Sequence, residues 1–284
     1  MMSSHPRFGF VTCVQLGLDV MDEICSLGGE LSLAVTLPDD LATSKSGRVF
    51  IDDFCAQRAI PVIKSGSVND AAVIDAVIEM DIDWLFIIGW SQIARSGVLN
   101  APRLGCVGMH PTLLPEGRGR ASIPWAILKD LAETGVTMFV LDDGVDTGPI
   151  LGATRIPLSA STTATELYGK VKQAHRTLIR EHWRPLSEGA LKAVPQNPLE
   201  GSVWPGRSPA DGLILPEMSV GEALRLVRAT THPYPGAYWQ CGNTVIRVWE
   251  AVETESPGVR PWVRCRDGIV EAVRFDRESV DDAS

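Results

Sequence analysis

Two side chains that can move protons stand in glycine- and proline-rich loops near the middle of this 284-residue sequence. His110 precedes a loop punctuated by prolines, and Asp146 stands in the motif G-V-D-T-G. A histidine can gain or lose a proton near neutral pH, and a carboxylate can orient the charged ring. Each residue alone has an ordinary structural explanation, a packed histidine or an Asx-type turn. Their shared setting within Cys106–Leu151 favours an acid–base site.

The segments before this stretch alternate between strand-like and helix-like patterns, and these elements must position it. Short apolar runs predict buried strands, and helical spacing predicts helices between them, in the order 7–14, 18–27, 31–37, 49–58, 60–63, 71–80 and 84–88. Continuous apolar strands alternating with helices are typical of a parallel sheet covered on both faces. Ligands of such sheets bind at the carboxyl ends of the strands. The first turn holds neither G-x-G-x-x-G nor a P-loop motif, which argues against a dinucleotide or P-loop site.

The remainder of the chain predicts a second, smaller module. A long helical pattern covers residues 164–186, and a segment rich in proline and glycine follows it. Beyond that segment come one helical pattern at 220–228 and several strand-like runs. We therefore predict a catalytic domain over residues 1–194, a linker over 195–216 and a small C-terminal domain over 217–284.

Composition narrows the class of protein. The apolar fraction is 45% and the charged fraction 21%, as in ordinary globular proteins, and no stretch is long and apolar enough to span a membrane. The formal net charge is −9, and from Pro205 onward nine Arg and no Lys face twelve Asp or Glu, a balance of −3 (9 − 12). Nucleic-acid binding needs clustered basic residues, so it is not expected. Without a signal peptide or paired cysteines, the sequence predicts a reduced cytoplasmic protein with no metal site.

Two motifs carry a resemblance to a known family. H-P-T-L-L-P-E-G-R-G-R-A, followed by T-G-V-T and G-V-D-T-G-P-I-L, resembles the signature of the folate-dependent formyltransferases, over roughly residues 7–190. Further on, R-S-P-A-D-G-L-I and V-R-A-T-T-H-P-Y-P-G-A resemble the small barrel appended to the tRNA and aminoarabinose members. The resemblance implies an α/β fold, a Rossmann-like and mostly parallel sheet, with a small C-terminal β-barrel-like module.

The chemistry that this resemblance implies is formyl transfer from N10-formyltetrahydrofolate to a primary amine. The family uses an Asn, a His two residues later and an Asp; His110 and Asp146 match the last two, while Gly108 replaces the Asn. Loss of one oxyanion donor typically costs about 10²–10³ in rate. The backbone of Gly108, a water, Ser91 or Gln92 can substitute, the reacting groups can differ, or catalysis can be weak. We favour substitution, and expect Asn at position 108 to leave transfer unchanged or raise it.

The resemblance also implies binding residues. Folate contacts are expected from two loops, at Trp90, Ser91, Gln92 and Ile93 and at Leu141, Asp142 and Asp143. Packing alone explains Trp90 equally well. For the acceptor we predict Gln15, Arg118, Gly119 and Arg120. Two guanidinium groups can hold a phosphate or carboxylate, although a solvated loop with surface ion pairs is the simpler explanation.

The acceptor itself remains the most open point. An amino sugar nucleotide is the favoured small amine, because the acidic C-terminal module does not suit tRNA. An amino acid amine is also open. Methionyl-tRNA formyltransferase is one alternative function, and a catalytically weak or non-catalytic folate-binding homologue is another, suggested by Gly108. A homodimer is one possible assembly.

Overall fold

The protein is described from a computed structural model, which covers residues 6–44 and 48–279. The chain divides into two compact units. The first contains the described residues up to Arg118, together with Gly135–Ile156 and Val171–Val203. The second contains Gly119–Thr134, Pro157–Lys170 and the chain from Trp204 onward.

The elements of the chain up to His110 alternate between strands and helices, as the sequence pattern predicts. They are β1 (Phe8–Val11), α1 (Gln15–Ser26), β2 (Leu31–Thr36), a 3-10 helix (Asp39–Ser44), α2 (Asp52–Gln57), β3 (Val62–Lys64), α3 (Ala71–Glu79), β4 (Trp84–Ile87), α4 (Ser96–Leu99) and β5 (Gly105–His110). The helix predicted over 49–58 is shorter in the structure, where only Asp52–Gln57 is helical.

After His110 the regular alternation ends. The next elements are β6 (Arg118–Gly119), α5 (Ser122–Leu128), β7 (Glu133–Val140), β8 (Ile150–Pro157), α6 (Ala164–Ser187) and β9 (Val203–Trp204). A 3-10 helix (Pro209–Gly212) precedes α7 (Val220–Thr230), β10 (Ala237–Cys241), β11 (Thr244–Thr254), β12 (Trp262–Arg264) and β13 (Ile269–Ser279). The segment predicted as a linker therefore contains β9 and a 3-10 helix.

A seven-stranded sheet in the order β3-β2-β1-β4-β5-β7-β8 forms the centre of the first unit. The pairs from β3 to β5 are parallel, whereas β7 runs antiparallel to β5. All four residues of β1 are buried, as expected for a central strand covered on both faces. The predicted Rossmann-like, mostly parallel fold is confirmed, with an antiparallel strand next to the one that ends at His110.

Helix α1 ends at the predicted position, and its end shows why. Gly28 has φ 80°, a left-handed conformation that glycine adopts without steric penalty. Its N–H donates to the Cys25 carbonyl, and the N–H of Gly29 reaches back to the Ile24 carbonyl at 2.9 Å. This pair of hydrogen bonds is a Schellman motif, which returns the chain directly towards β2.

The second unit has its own sheet and core. Four antiparallel strands in the order β10-β11-β13-β12 pack against α7, whose start is capped reciprocally by Ser219 and Glu222. The buried cluster includes Val227, Trp239 and Val270. The predicted small C-terminal β module is thus confirmed. In the described part of the chain, no helix has the length and apolar content needed to cross a bilayer.

Candidate active site

Strand β5 and its neighbour β7 fix the position of His110. His110 is the last residue of β5 and lies opposite Thr137 in the ladder. The Thr137 hydroxyl donates to the Thr112 carbonyl at 2.8 Å and accepts from the Leu114 N–H at 3.0 Å. A fully buried threonine therefore holds the loop that follows the histidine, so the ring has a defined surrounding.

The His110 ring lies between two acceptors. Its Nε2 is 2.7 Å from the Gly117 carbonyl oxygen, and its Nδ1 is 3.5 Å from Oδ2 of Asp146. A carbonyl can only accept, so Nε2 carries a proton, and Nδ1 is the nitrogen that can gain or lose one. The ring is only 8% exposed. Both ring nitrogens therefore face acceptor oxygens.

Asp146 reaches His110 from the loop between β7 and β8. The residue has φ 54°, a left-handed conformation that aspartate tolerates better than most residues. Within the same loop, Oδ1 of Asp142 accepts hydrogen bonds from the Gly144 N–H and the Thr147 hydroxyl. The predicted folate residue Asp142 thus also shapes the loop, and Asp143 beside it is exposed.

Gln196 links this loop to Arg118. Its Nε2 donates to the carbonyls of Asp146 and Gly148 at 2.9 and 2.7 Å. Its Oε1 accepts from Nε and Nη2 of Arg118 at 3.2 and 2.8 Å. Arg118, predicted to bind the acceptor, is 8% exposed, and its guanidinium is engaged inside the unit. Its contact with an acceptor stays a prediction.

The chain around Ser202 completes this support, and the sequence alone did not indicate it. The Ser202 hydroxyl accepts from the Gly117 N–H at 3.1 Å, and its carbonyl accepts from the Arg118 N–H at 2.9 Å. Both Gln196 and Ser202 lie in the segment predicted as a linker, where proline and glycine obscure any periodic pattern. A Cβ at nearby Gly201 would collide with the Pro115 carbonyl, so the chain packs closely at this point.

The space beside Gly108 is already filled. A Cβ there would lie 2.7 Å from Cδ2 of Leu141 and 3.3 Å from Cε1 of Phe139. Leu141, a predicted folate-loop residue, thus occupies the room that the family's Asn side chain would need. The expectation that Asn at position 108 is neutral or beneficial assumes open space, and this packing revises it, because Leu141 must move first.

The other predicted folate loop follows β4. Oε1 of Gln92 accepts from the Trp90 indole N–H and from the Val68 N–H, and its Nε2 donates to the Gly66 carbonyl at 2.7 Å. Gln92 therefore joins two loops. Ser91 is exposed, and Ile93 is 67% exposed. Substitution of the missing Asn by Ser91 or Gln92 remains a prediction.

The predicted acceptor residues fall in both units. Gln15 begins α1, and its Nε2 donates to Oδ1 of Asp19 at 2.8 Å, while Lys172 pairs with the same carboxylate at 3.1 Å. Gly119 and Arg120 belong to the second unit. There the Arg120 N–H donates to the Trp204 carbonyl, and the Arg120 side chain is exposed.

A further histidine of the first unit, His175, is buried and uncharged. His175, on α6, is 2% exposed, and its Nδ1 donates to the Val171 carbonyl at 2.8 Å. The pKa of His175 is lowered to about 4, mainly by burial; the hydrogen bond to the Val171 carbonyl and the charge of Asp19 oppose the shift, and His110 adds to it slightly. His175 is therefore neutral at neutral pH. Nothing in the sequence around His175 indicates this burial.

Known proteins share both the sequence pattern and the fold. A family model described as formyl transferase matches residues 29–182, and one for the formyl transferase C-terminal domain matches residues 207–279. The chain therefore belongs to the formyl transferase family, as the two motifs predict. It is a formyl transferase.

Three solved structures illustrate the shared fold. An N-formyltransferase from Helicobacter canadensis, in complex with folinic acid and dTDP-3-aminofucose, is 15% identical, with TM-score 0.68 over 96% of this chain and 98% of that one. Methionyl-tRNA formyltransferase from Clostridium thermocellum is 16% identical, with TM-score 0.64 over 96% and 98%. A HypX variant from Aquifex aeolicus is 17% identical, with TM-score 0.70; the match covers 99% of this chain but 47% of HypX.

Proposed function

We propose that this protein transfers the formyl group of N10-formyltetrahydrofolate to the primary amine of an amino sugar nucleotide. The observation that carries the proposal is the His110 ring, held between the Gly117 carbonyl and the Asp146 carboxylate at the end of β5. When the amine attacks the formyl carbon it loses a proton, negative charge develops on the formyl oxygen, and N10 takes up a proton as its bond to the formyl carbon breaks. This ring and carboxylate suit both demands.

Each partner of the pair then has a defined role. Nδ1 of His110 is the proton acceptor, because Nε2 is committed to a carbonyl. The Asp146 carboxylate stabilises the positive ring that results, and that charge in turn stabilises the developing oxyanion. The burial of His110 strengthens both electrostatic effects.

Two half-buried apolar side chains suit a flat, folate-type donor, which supplies the one-carbon group. Trp90 and Leu141 both pack against the core cluster that contains Val11 and Leu85, and each is only partly covered. They belong to the two loops predicted to contact folate. Because the Gln92 amide is already bonded to Trp90 and to the Gly66 carbonyl, we assign the polar contacts of this loop to its backbone.

The acceptor class rests on charge and on comparison. The C-terminal module carries a net negative charge, which repels any anionic acceptor. This repulsion is far stronger for tRNA, which has many phosphates, than for a small nucleotide. The Helicobacter canadensis relative was solved with an amino sugar nucleotide. We therefore assign an amino sugar nucleotide as the acceptor, with Gln15 as a contact to be tested.

The decisive experiment combines donor and acceptors. The protein is incubated with N10-formyltetrahydrofolate and a panel of amino sugar nucleotides, and release of tetrahydrofolate is followed. We expect turnover with at least one sugar and none without an amine. Folate binding without turnover on any amine would establish a non-catalytic homologue instead. Faster formylation of charged initiator tRNA than of any sugar would overturn the acceptor assignment.

A further inference from the structure

A cavity within the second unit contains polar groups that no neighbour satisfies. It has a volume of about 430 Å³ and is lined by Thr163, Thr165, Val227, Arg228, Thr231 and Trp249, among others. This volume lies in the range of small-molecule sites. We call it the α7 cavity, because three of these residues lie on or directly after α7.

Arg228 is the principal polar group of the α7 cavity. Its side chain is half-buried, and its Nε is inaccessible to solvent and has no hydrogen-bond partner in the described structure. Burial lowers the pKa of Arg228, nearby Arg225 lowers it further, and Asp130 opposes the shift. A charged group taken out of water without a partner is costly, so a bound anion would relieve that cost.

Thr231 provides a second, independent sign. It is 3% exposed, and its hydroxyl is buried with no hydrogen-bond partner in the described structure. Buried hydroxyls are normally hydrogen-bonded. A hydroxyl and a guanidinium Nε that both lack hydrogen-bond partners, on residues that line one cavity, are a suitable pair for an oxyanion, because each is a donor.

The two carboxylates of the cavity do not cancel this preference. Oε2 of Glu166 accepts from the Thr163 N–H, and Glu250 lies opposite Arg274 in the ladder of β11 and β13. Each acidic group thus has a local partner or a cross-strand arginine. The carboxylate that opposes the pKa shift of Arg228, that of Asp130, is itself paired with Arg225 at 2.8 Å.

The apolar lining indicates what else the ligand carries. The Trp249 ring stacks on His232 with centroids 3.9 Å apart, and its indole N–H donates to Asp276, so its orientation is fixed. Leu224 and Val227 also line the cavity. A rigid aromatic ring beside aliphatic side chains suits a flat apolar group.

We propose that the α7 cavity binds a small molecule with an oxyanion group, a phosphate monoester or a carboxylate, next to a ring. Arg228 and Thr231 hold the oxyanion, and Trp249 contacts the ring. This site involves none of the residues assigned to formyl transfer, so it is a second binding site of the chain.

The test uses the full-length protein with 5-fluorotryptophan in place of tryptophan. The Trp249 signal in the ¹⁹F NMR spectrum is identified by its absence in Trp249→Phe. Phenyl phosphate, benzoate and uncharged phenol are titrated separately. We expect saturable shifts of the Trp249 signal with phenyl phosphate or benzoate, and the stronger of the two identifies the oxyanion; phenol should give none. Equal shifts with phenol, or none with any probe, would overturn the proposal.

Matched variants on α7 separate binding from folding. Arg228→Gln should weaken binding at least tenfold while leaving the thermal midpoint unchanged or higher, because a half-buried charge is removed. Thr231→Val should weaken binding several-fold. Arg225→Gln, on the same helix but paired with Asp130 outside the cavity, should bind as the parent does. Unchanged binding in Arg228→Gln would refute the role of the guanidinium, as would an equal loss in Arg225→Gln.

Discussion

Two arginines of this chain lie in opposite surroundings. Arg118 stands in a loop motif that suggests ligand binding, yet it is buried and bonded to Gln196. Arg228 stands in an ordinary helical pattern, yet it lines a cavity, and its Nε has no hydrogen-bond partner in the described structure. A motif identifies a residue type at a position, whereas the partners of that residue decide whether its charge is already used. The polar side chains around His110 hydrogen-bond one another, whereas the α7 cavity is lined by residues with polar atoms that have no hydrogen-bond partner in the described structure.

The largest expected effect tests the centre of the bonded region. His110→Ala removes the proposed proton acceptor and should lower kcat at least about 10³-fold, since general acid–base catalysis contributes roughly 10²–10⁴. Tetrahydrofolate release under saturating donor and acceptor measures it. His182→Ala, a half-buried histidine on α6, serves as the control and should stay within a few-fold of the parent. A loss below tenfold in His110→Ala would remove this residue from the chemistry.

A double-mutant cycle tests whether Arg118 acts through Gln196 and not by binding a ligand. Gln196→Ala and Arg118→Gln should each lower kcat by about 10–10²-fold, because a loop displacement near 1 Å can cost about 10². The double variant should be little worse than either, since both act on the Asp146 loop. Gln240→Ala, whose amide bonds a local carbonyl in the second unit, is the control. If Arg118→Gln instead raised KM for the acceptor alone, Arg118 would be a binding residue after all.

A smaller effect is expected at the missing Asn. Gly108→Asn forces Leu141 to move, so kcat should fall several-fold. Adding Leu141→Ala opens the space, and the double variant should recover activity relative to Gly108→Asn alone. Steady-state rates of the four proteins check this. A rate above the parent in the single variant would mean that Leu141 yields easily and that the family's carboxamide is simply absent here.

The last prediction concerns the pH dependence of stability and not the rate. The folded pKa of His175, about 4, lies below its ordinary 6.5, so the unfolded chain binds more protons between these values. Stability should therefore fall as pH drops from about 6.5 to 4, by on the order of 3 kcal/mol from this residue. Urea midpoints at several pH values measure the slope, and His175→Gln should flatten it. An unchanged slope would contradict the neutral, buried state.

The sequence indicates the titratable side chains of the candidate site more clearly than the residues that hold them in place. His110 and Asp146 stand in contiguous motifs, so their types and spacing can be read directly, and the βα alternation predicts the sheet that carries His110. Gln196 and Ser202 follow α6, far along the chain, in a segment without periodicity. Their role depends on tertiary contacts, which no local pattern encodes. The antiparallel direction of β7 is equally a property of the folded chain.

The order of elements also limits how this catalytic unit can be divided or transplanted. Gln196 holds the Asp146 loop, and Ser202 holds the backbone of Gly117 and Arg118. Both residues follow the helix α6, which ends at Ser187. A fragment cut at the end of the family match, residue 182, would keep His110 and Asp146 but lose both supports. Any attempt to graft this catalytic half onto another protein must therefore carry the chain through Val203, where the first compact unit ends.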